Sequence, residues 1–345
     1  MNNYILLLIT AILISIISIK MLQRFASKIG LLDQPCNRKH HKGHVPLIGG
    51  ISIYIAVLIT SFVCLPITQE LRSYLIASGI IVFIGALDDK YDLGIIVRIL
   101  GQVLVALVLI NEGNSYISNF GDLFNLGDVD IGSVGYIFTF LAVVVVINAF
   151  NMIDGMDGLL GMQSLVTLGS IALLLFLNNN LSTFNYALVI IVAMLPYMFF
   201  NLGFGQGDAK RIHMGDAGSM FIGLSVVWLL SKGSQGESIA FSPVTALWIT
   251  AVPLLDMLAT VIRRVNSGRS PFKPDREHIH HIFLKLGLSN HKTLTYISLF
   301  SIFMSFIGVM GQVLEIKEYI MFSLFLVVFV LYFKVLVKIK ALANH

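Results

Sequence analysis

The chain has 345 residues, of which 57% are hydrophobic and only 12% are charged. A soluble domain carries about 25% charged residues. This composition, with a mean hydropathy of +0.86, therefore excludes an ordinary soluble protein and predicts an all-α polytopic integral membrane protein. The net charge of +4 is too small to favour nucleic acid as a partner, and we expect none. Cys36 and Cys64 lack metal-ligand spacing and are predicted to be unpaired thiols.

Eleven apolar runs predict about eleven transmembrane helices, since a span needs about 20 mostly apolar residues. The runs are 4–19, 48–66, 71–87, 95–110, 134–147, 160–177, 186–202, 220–230, 244–262, 294–313 and 319–337. No basic residue precedes the first run, whereas Lys20, Arg24 and Lys28 follow it, which is the reverse of a signal peptide. We therefore predict a retained first helix, an N-terminus outside and a cytoplasmic C-terminus.

The positions of lysine and arginine test this topology. With the spans alternating in direction, all of the 23 basic residues except Arg72, Lys232 and Lys317 fall on the inner side. This asymmetry is the positive-inside pattern, so it supports both the number of spans and their orientation. We expect residues 1–345 to form a single membrane-embedded domain. The outer segment 111–133 predicts either a small extracytoplasmic structure or a solvated loop.

Unusual polar motifs fall in five segments that the topology places on the cytoplasmic side. These segments are 20–47, 88–94, 148–159, 203–219 and 263–293. The topology rests on hydropathy and basic residues and not on the motifs. Their convergence is therefore an independent indication of one cytoplasmic active site.

The segment 148–159, NAFNMIDGMDGL, repeats polar side chains at three-residue spacing after an apolar run. Positions i and i+3 share one face of a helix, so amides and carboxylates would line up at the mouth of a span. A surface turn also favours Asn, Asp and Gly, but four in register exceed what a turn needs. Polar residues within a membrane indicate function. The four residues are Asn148, Asn151, Asp154 and Asp157.

Three further aspartates begin or end predicted spans. Asp88 and Asp89 are adjacent, and their repulsion favours a cation or a metal-bound phosphate nearby. The alternative is a solvated helix-end pair offset by Lys90. Asp216, in the sequence GDAGS, is either a helix N-cap or a ligand of Mg²⁺, which prefers carboxylates together with substrate phosphate oxygens.

Three histidines, His278, His280 and His281, lie in a basic loop. Without a cysteine or an i,i+4 histidine pair, contacts with an anion are favoured over zinc. Carboxylates for a divalent cation, a basic loop and glycine-rich turns together predict phosphate chemistry, and the Walker A pattern is absent. Asp256 lies seven residues before Arg263, which predicts an internal ion pair, with a functional role for Asp256 as the alternative.

The motifs LDDKYDLG, NAFNMIDGMDGL, MGDAGSM and PDREHIHH resemble, in order and topology, those of the polyprenyl-phosphate N-acetylhexosamine-1-phosphate transferases. The resemblance spans about residues 1–290. It implies an MraY-like fold in the bacterial cytoplasmic (inner) membrane, with the active site facing the cytoplasm. It also implies that undecaprenyl phosphate attacks the β-phosphorus of a UDP-N-acetylhexosamine and that UMP leaves.

The HIHH form of the last motif is most similar to the branch that uses UDP-N-acetylglucosamine and initiates O antigen or enterobacterial common antigen. A substrate carrying MurNAc-pentapeptide is disfavoured, because three consecutive histidines are missing. Another UDP-N-acetylhexosamine is the alternative donor. Oligomeric state stays open, with a homo-oligomer among the alternatives.

The resemblance implies roles for the matching residues. The carboxylates expected to act in catalysis are Asp88, Asp89, Asp154 and Asp157. Asp88 would either act as a base or position the lipid phosphate, whereas Asp154 and Asp157 would order the nucleotide end of the site. Asp216 would bind Mg²⁺, or Mn²⁺ as the alternative, with Asn151 as a second ligand. The residues expected to contact the donor are Lys42, Arg263, Arg264, Arg276, His278, His280 and His281.

Two other protein classes fit fewer observations. The sequence GQGD, residues 205–208, matches the GxGD motif of intramembrane aspartyl proteases. Asp208 falls in a basic loop, however, whereas a protease needs two aspartates sharing a proton inside the membrane. A cation-coupled transporter would carry carboxylates near the bilayer midplane, whereas these carboxylates cluster at one surface.

Overall fold

The computed structural model describes residues 2–33, 44–113, 115–204, 211–236, 238–271 and 277–342. Within these ranges the chain is mostly helical and has only two short strands, which confirms the all-α class. The helices are α1 (Asn2–Ile29), α2 (Gly49–Cys64), α3 (Gln69–Tyr91), α4 (Ile95–Asn111), α5 (Gly135–Ile153), α6 (Leu159–Leu177), α7 (Leu181–Asn201), α8 (Gly215–Ser234), α9 (Pro243–Ile249), α10 (Ala251–Asn266), α11 (Ile279–Lys285), α12 (Asn290–Val313) and α13 (Glu318–Leu342). A short antiparallel pair joins β1 (Leu32–Asp33) to β2 (Val45–Pro46).

Eight helices in the described part of the chain are long and apolar enough to cross a membrane. The broken pair α9–α10 would make a ninth, and α2 and α4 are shorter apolar helices. Each of the eleven predicted runs lies on one of these helices or on the broken pair. A polytopic membrane protein is confirmed. The count of eleven spans and their orientation stay predictions.

Helix α8 lies at the centre of the bundle, with 94% of its most apolar stretch buried. It packs against α2, α3 and α5. The approach of α3 is very close, since a Cβ atom at Gly85 would lie only 2.4 Å from the Cα atom of Ala217. Small residues allow such close packing where lipid supplies little hydrophobic driving force. Therefore α3 holds the first turn of α8, the turn that contains Asp216.

The predicted span 244–262 is not one continuous helix. Helices α9 and α10 meet at an angle of 81° around Thr250. The carbonyl oxygen of Ile249 accepts hydrogen bonds from Thr167 Oγ1 and Ser305 Oγ, both at 3.2 Å. Because unpaired backbone groups are costly inside a membrane, these two hydroxyl groups, on α6 and α12, stabilise the break.

The segment before α2 is bound to the segment before α8 through the backbone. His213 N donates to Pro46 O at 2.9 Å, and Gly49 N donates to His213 O at 3.0 Å. Leu47 and His213 form a parallel β-bridge. Two of the predicted cytoplasmic segments, 20–47 and 203–219, are thereby joined directly, as a shared site requires.

Within the segment 111–133, the described residues 115–133 form a small ordered structure rather than an extended solvated loop. Gln235, just after α8, accepts from the backbone N–H groups of Ser118 and Asn119 at 2.9 and 3.1 Å. Its Nε2 donates back to Asn119 O at 3.0 Å. Asp122 Oδ1 accepts from the backbone N–H of Leu126 at 3.0 Å. Of the two alternatives for this segment, the local structure is the one observed.

We expect Gly85→Ala to lower the thermal stability of the protein in detergent, because the new Cβ atom would meet the backbone of Ala217 at 2.4 Å. Overpacking of this kind typically costs about 1–3 kcal/mol. Gly169→Ala on α6 is the matched control, since a Cβ atom there meets nothing within 4 Å and alanine favours a helix. Thermal unfolding with chromatographic detection measures both, and equal midpoints for the two variants would contradict the packing argument.

Candidate active site

Asp89 binds the N-terminus of α8 from the neighbouring helix α3. Its Oδ1 accepts from Asp216 N at 2.7 Å, and its Oδ2 accepts from Ala217 N at 3.1 Å. A carboxylate is favoured there because the first N–H groups of a helix lack partners and the helix dipole attracts an anion. The N-cap interpretation of Asp216 is therefore wrong. Gly215 allows this contact, since its φ is +75° and a Cβ atom would lie 2.5 Å from Asp89 Oδ2.

Asp88 is buried, with 4% of its surface exposed. Its Oδ1 accepts from Leu93 N at 2.8 Å, and its Oδ2 accepts from Arg98 Nη1 at 3.1 Å. The interpretation as a solvated pair offset by Lys90 is therefore wrong for Asp88. Arg98, in the first turn of α4, was missed from the sequence. The only sign of Arg98 in the sequence is its position, ten residues after Asp88 and at the start of the next helix.

Asn151 and Asp216 lie together, on α5 and α8. Asn151 Nδ2 donates to Asp216 Oδ1 at 2.5 Å and to Ser219 Oγ at 2.8 Å. Asn151 donates both bonds through Nδ2, and Asp216 accepts through Oδ1. These contacts therefore do not involve Asn151 Oδ1 or Asp216 Oδ2, which are oxygens of the kind that can bind a cation. Asn148 faces elsewhere, donating to Gln102 Oε1 at 2.9 Å, and joins α5 to α4.

The predicted helical face of four polar residues is wrong beyond Asn151. Helix α5 ends at Ile153, so Asp154 and Asp157 lie in the turn that leads to α6. Asp154 is exposed at the end of α5. Amides and carboxylates from this segment therefore have different neighbours.

Asp157 belongs to a group of four charged residues, the His213 cluster, formed by Asp33, Asp157, Arg211 and His213. Arg211 Nη1 donates to Asp157 Oδ2 at 2.9 Å, and His213 Nε2 lies 3.4 Å from Asp157 Oδ1. His213 Nδ1 donates to Asp33 Oδ2 at 3.1 Å. The cluster joins β1, the turn after α5 and the segment before α8. The role of Asp157 in ordering the nucleotide end of the site stays a prediction.

Electrostatics favours the charged forms of His213 and Asp157. Burial opposes the charge on His213, but hydrogen bonds and attraction from Asp157 and Asp33 outweigh it and raise the pKa of His213 to about 9. Burial likewise opposes the charge on Asp157, but His213 and Arg211 lower the pKa of that carboxyl group below its ordinary value. His213 was missed from the sequence, although it stands beside the motif MGDAGS.

The first histidine of the HIHH motif is held by an aspartate of the preceding helix. His278 Nδ1 donates to Asp256 Oδ2 at 2.7 Å. The predicted ion pair between Asp256 and Arg263 is wrong, because Arg263 Nε lies 2.6 Å from Glu277 Oε2 instead. Helical spacing suggested the pairing of Asp256 with Arg263. After α10, however, the chain brings His278 to Asp256 and Glu277 to Arg263.

The two predicted donor-binding arginines of α10 are buried and contact the loop that follows. Arg263 Nη2 donates to Glu277 O at 2.9 Å, and Arg264 Nη1 donates to Pro271 O at 2.6 Å. These bonds hold Pro271 and Glu277 against α10, next to the histidines. Contact of either arginine with a substrate stays a prediction.

His280 connects the histidine motif to the segment 148–159. It is 1% exposed, and burial first, then the neighbouring His281, lower its pKa to about 3, so the ring is neutral. A Cβ atom at Gly155 would lie 2.0 Å from His280 Nε2, so the ring packs directly on that glycine. His281 is partly exposed, with its ring centroid 4.2 Å from that of His280, and is the more accessible of the two.

Two predicted donor-binding residues, Lys42 and Arg276, lie outside the described residues, as do Cys36 and Asp208. The remaining predicted site residues fall into three groups. Helices α3, α5 and α8 bring together Asp88, Asp89, Asn151 and Asp216. Asp154 and Asp157 lie in the turn between α5 and α6. Helix α10 carries the arginines, and the histidines lie at the start of α11.

The residues around Asp216 fit a magnesium ion better than zinc. Among the described residues no group of three or more His, Cys, Asp and Glu side chains has a geometry suited to a metal. Magnesium needs only one or two carboxylates when substrate phosphates and water complete its coordination. Asp216 and Asn151 supply oxygens of this type. Asp88 and Asp89 add negative charge next to them, with Arg98 as the ion-pair partner of Asp88.

Comparison with known proteins places these residues in a family context. Residues 71–234 match the model of glycosyl transferase family 4. A relative from Yersinia pestis is 39% identical over 311 residues, covering 90% of this chain and 85% of the relative. Relatives from Escherichia coli strain K12 and Pasteurella multocida are 40% and 38% identical, covering 90% and 94% of this chain and 84% and 91% of the relatives. All three are named undecaprenyl-phosphate alpha-N-acetylglucosaminyl 1-phosphate transferase.

The His213 cluster predicts a loss of stability at alkaline pH. The pKa of His213 is raised to about 9, so its ion pairs stabilise fully below about pH 6.5 and are lost as the pH rises through 9. Between pH 6.5 and 9.5 we expect the unfolding temperature of the wild type to fall by roughly 2 °C more than that of His213→Gln, which cannot titrate there. Thermal unfolding in detergent measures this, and parallel pH profiles would contradict it.

Proposed function

This chain belongs to glycosyl transferase family 4, and we propose on that premise that it transfers N-acetylglucosamine 1-phosphate from UDP-N-acetylglucosamine to undecaprenyl phosphate. The observation that carries the proposal is identity of about 40% along most of the chain with relatives named for that activity. The acidic site at one end of the helix bundle supports it, because such a site suits a reaction between a polar nucleotide sugar and a lipid phosphate.

The reaction exchanges one phosphoanhydride for another. An oxygen of undecaprenyl phosphate attacks the β-phosphorus of UDP-N-acetylglucosamine, and the bond from that phosphorus to the bridging oxygen breaks. UMP leaves with the bonding electrons, and undecaprenyl-diphosphate-N-acetylglucosamine forms. The bond from the sugar to its phosphate is untouched, so the anomeric configuration is retained. Since similar bonds are made and broken, we expect the reaction to be reversible.

Asp216 and Asn151 are the proposed holders of Mg²⁺, with Mn²⁺ as the alternative. The ion would neutralise charge on the diphosphate oxygens. Asp89 holds the backbone N–H groups of Asp216 and Ala217. Its part is therefore to set where the Asp216 carboxylate sits, rather than to react itself.

For Asp88 the contacts favour positioning over proton abstraction. Each of its oxygens already has a donor, from Leu93 and from Arg98. A phosphate monoester with a second pKa near 6 is mostly dianionic at neutral pH, so the acceptor needs no strong base. We propose that Asp88 fixes Arg98 and the turn after α3 at the place where the lipid phosphate enters.

The nucleotide sugar is proposed to bind beside the HIHH motif, where His281 is the accessible ring. Membrane location follows from the apolar helices. We propose that the membrane is the bacterial cytoplasmic membrane and that the site faces the cytoplasm, with the N-terminus outside. The charge asymmetry of the sequence supports this orientation, since 20 of 23 basic residues then lie inside, the exceptions being Arg72, Lys232 and Lys317.

A direct assay tests the activity. We expect purified protein with Mg²⁺, undecaprenyl phosphate and UDP-N-acetylglucosamine to release UMP and form a lipid-linked sugar. UDP-N-acetylgalactosamine and UDP-MurNAc-pentapeptide, offered in competition, should compete weakly. A folded protein that releases no more UMP than a vector control would overturn the transferase proposal. Faster transfer from either competitor would overturn only the choice of sugar.

Removal of the proposed metal ligand tests the role of Asp216. We expect Asp216→Asn to lose about 100-fold or more in turnover while its unfolding temperature changes little, because the charge-neutralising ion is held less well. Asp128→Asn, in the exposed segment before α5, is the matched control with normal turnover. EDTA should abolish wild-type activity. Activity that survives EDTA, or a loss of folded Asp216→Asn protein in step with turnover, would contradict the metal role.

A further inference from the structure

The last helix, α13, holds both ends of the segment 277–279. Tyr332 Oη donates to Asp256 Oδ1 at 3.2 Å, and Asp256 in turn binds His278. Lys340 Nζ lies 2.8 Å from Glu277 Oε2. Tyr332 and Lys340 are separated by about 12 Å along the helix axis. A single helix thus reaches the histidine motif directly at Glu277 and, through Asp256, at His278. The transfer reaction itself explains neither connection.

Asp256 is the centre of this arrangement. It is 1% exposed on a membrane helix, where an uncompensated carboxylate is very costly. Three donors satisfy it: His278 Nδ1 at 2.7 Å, Ile279 N at 2.9 Å and Tyr332 Oη at 3.2 Å. The first two fix the ring and the backbone of the HIHH motif, and the third ties that carboxylate to α13.

The Asp256 contact determines which atom of His278 is left for other partners. With Nδ1 bound to the carboxylate, Nε2 is the remaining polar atom of the ring. The His278 ring stacks parallel to that of His280, with centroids 5.9 Å apart, and His280 packs against Gly155. The orientation of His278 is therefore fixed from both sides, next to the segment that carries Asp154.

We propose that α13 is a positioning element for the nucleotide sugar, in which Tyr332 acts through Asp256, and Lys340 through Glu277, to present His278 Nε2 to the donor diphosphate. This inference rests on the proposed function. In it, His278 touches the substrate, whereas Tyr332 and Lys340 are positioning residues. The ring of Tyr332 stacks parallel to Phe300 at 6.2 Å, so its packing can be separated from its hydroxyl group.

Tyr332→Phe tests the hydroxyl group while keeping the ring and its packing. We expect about a tenfold increase in the Kd and KM for UDP-N-acetylglucosamine, as for loss of a hydrogen bond to a charged group. The KM for undecaprenyl phosphate should not change. Tyr74→Phe is the matched control: that tyrosine is also buried, and its hydroxyl lies 2.7 Å from Ser225 Oγ on the other half of the bundle. Its donor Kd should equal that of the wild type.

Lys340→Met tests the second contact, with Lys338→Met as the control, because Lys338 is exposed on the same helix. We expect a several-fold weaker donor affinity for Lys340→Met alone. A double-mutant cycle then tests the route. In a His278→Gln background, Tyr332→Phe should change the donor Kd by less than about twofold, because the residue through which it acts is already altered.

Calorimetric titration of the full chain in detergent with UDP-N-acetylglucosamine measures Kd independently of turnover. Three results would each overturn the positioning role. The first is an unchanged donor Kd in Tyr332→Phe, and the second is an equal loss of affinity for the donor and for undecaprenyl phosphate. The third is an undiminished effect of Tyr332→Phe on the donor Kd in the His278→Gln background. Wild-type protein that binds the donor but releases no UMP would overturn the proposed transfer alone. Wild-type protein that binds no donor would overturn both.

Discussion

The carboxylate of Asp89 on the first turn of α8 is the contact on which the site depends. It replaces the missing partners of two backbone N–H groups, those of Asp216 and Ala217. It can do so because α3 approaches α8 closely at Gly85. The same contact sets the direction of the Asp216 side chain toward Asn151. Helix packing, helix capping and the proposed metal site are therefore one arrangement and not three.

The acidic residues of the motifs differ in how many of their oxygens already have a donor. Asp88, Asp89 and Asp157 each have two donors on their carboxylate oxygens, from backbone N–H groups, arginine or histidine. Their charges hold segments that are distant in sequence. Asp216 instead keeps one oxygen outside its contact with Asn151. Carboxylates that look equivalent in the sequence thus have different chemical roles, and their number overstates how many can reach a substrate.

The sequence predicted the helices well because a helix facing lipid must be apolar along its length. The break at Thr250 was missed, although Pro253, three residues later, lacks the backbone N–H that a continuous helix would use. The hydroxyl groups of Thr167 and Ser305 that stabilise the break are far away in the chain. The motifs predict the candidate site for a similar reason: polar residues in apolar surroundings stand out. Pairings such as Asp256 with His278 depend on how the chain returns, which local spacing does not encode.

Two sets of helices carry the two groups of candidate site residues, and one close contact between these groups is at a glycine, Gly155. Helices α3, α5 and α8 hold the carboxylates, whereas α10, α11 and α13 hold the histidine motif. His280 lies so close to residue 155 that a Cβ atom there would be 2.0 Å from Nε2. Burial keeps this ring neutral, as its pKa of about 3 indicates. The contact is therefore one of packing, and it sets the distance between the proposed metal side and the proposed donor side without adding charge to either.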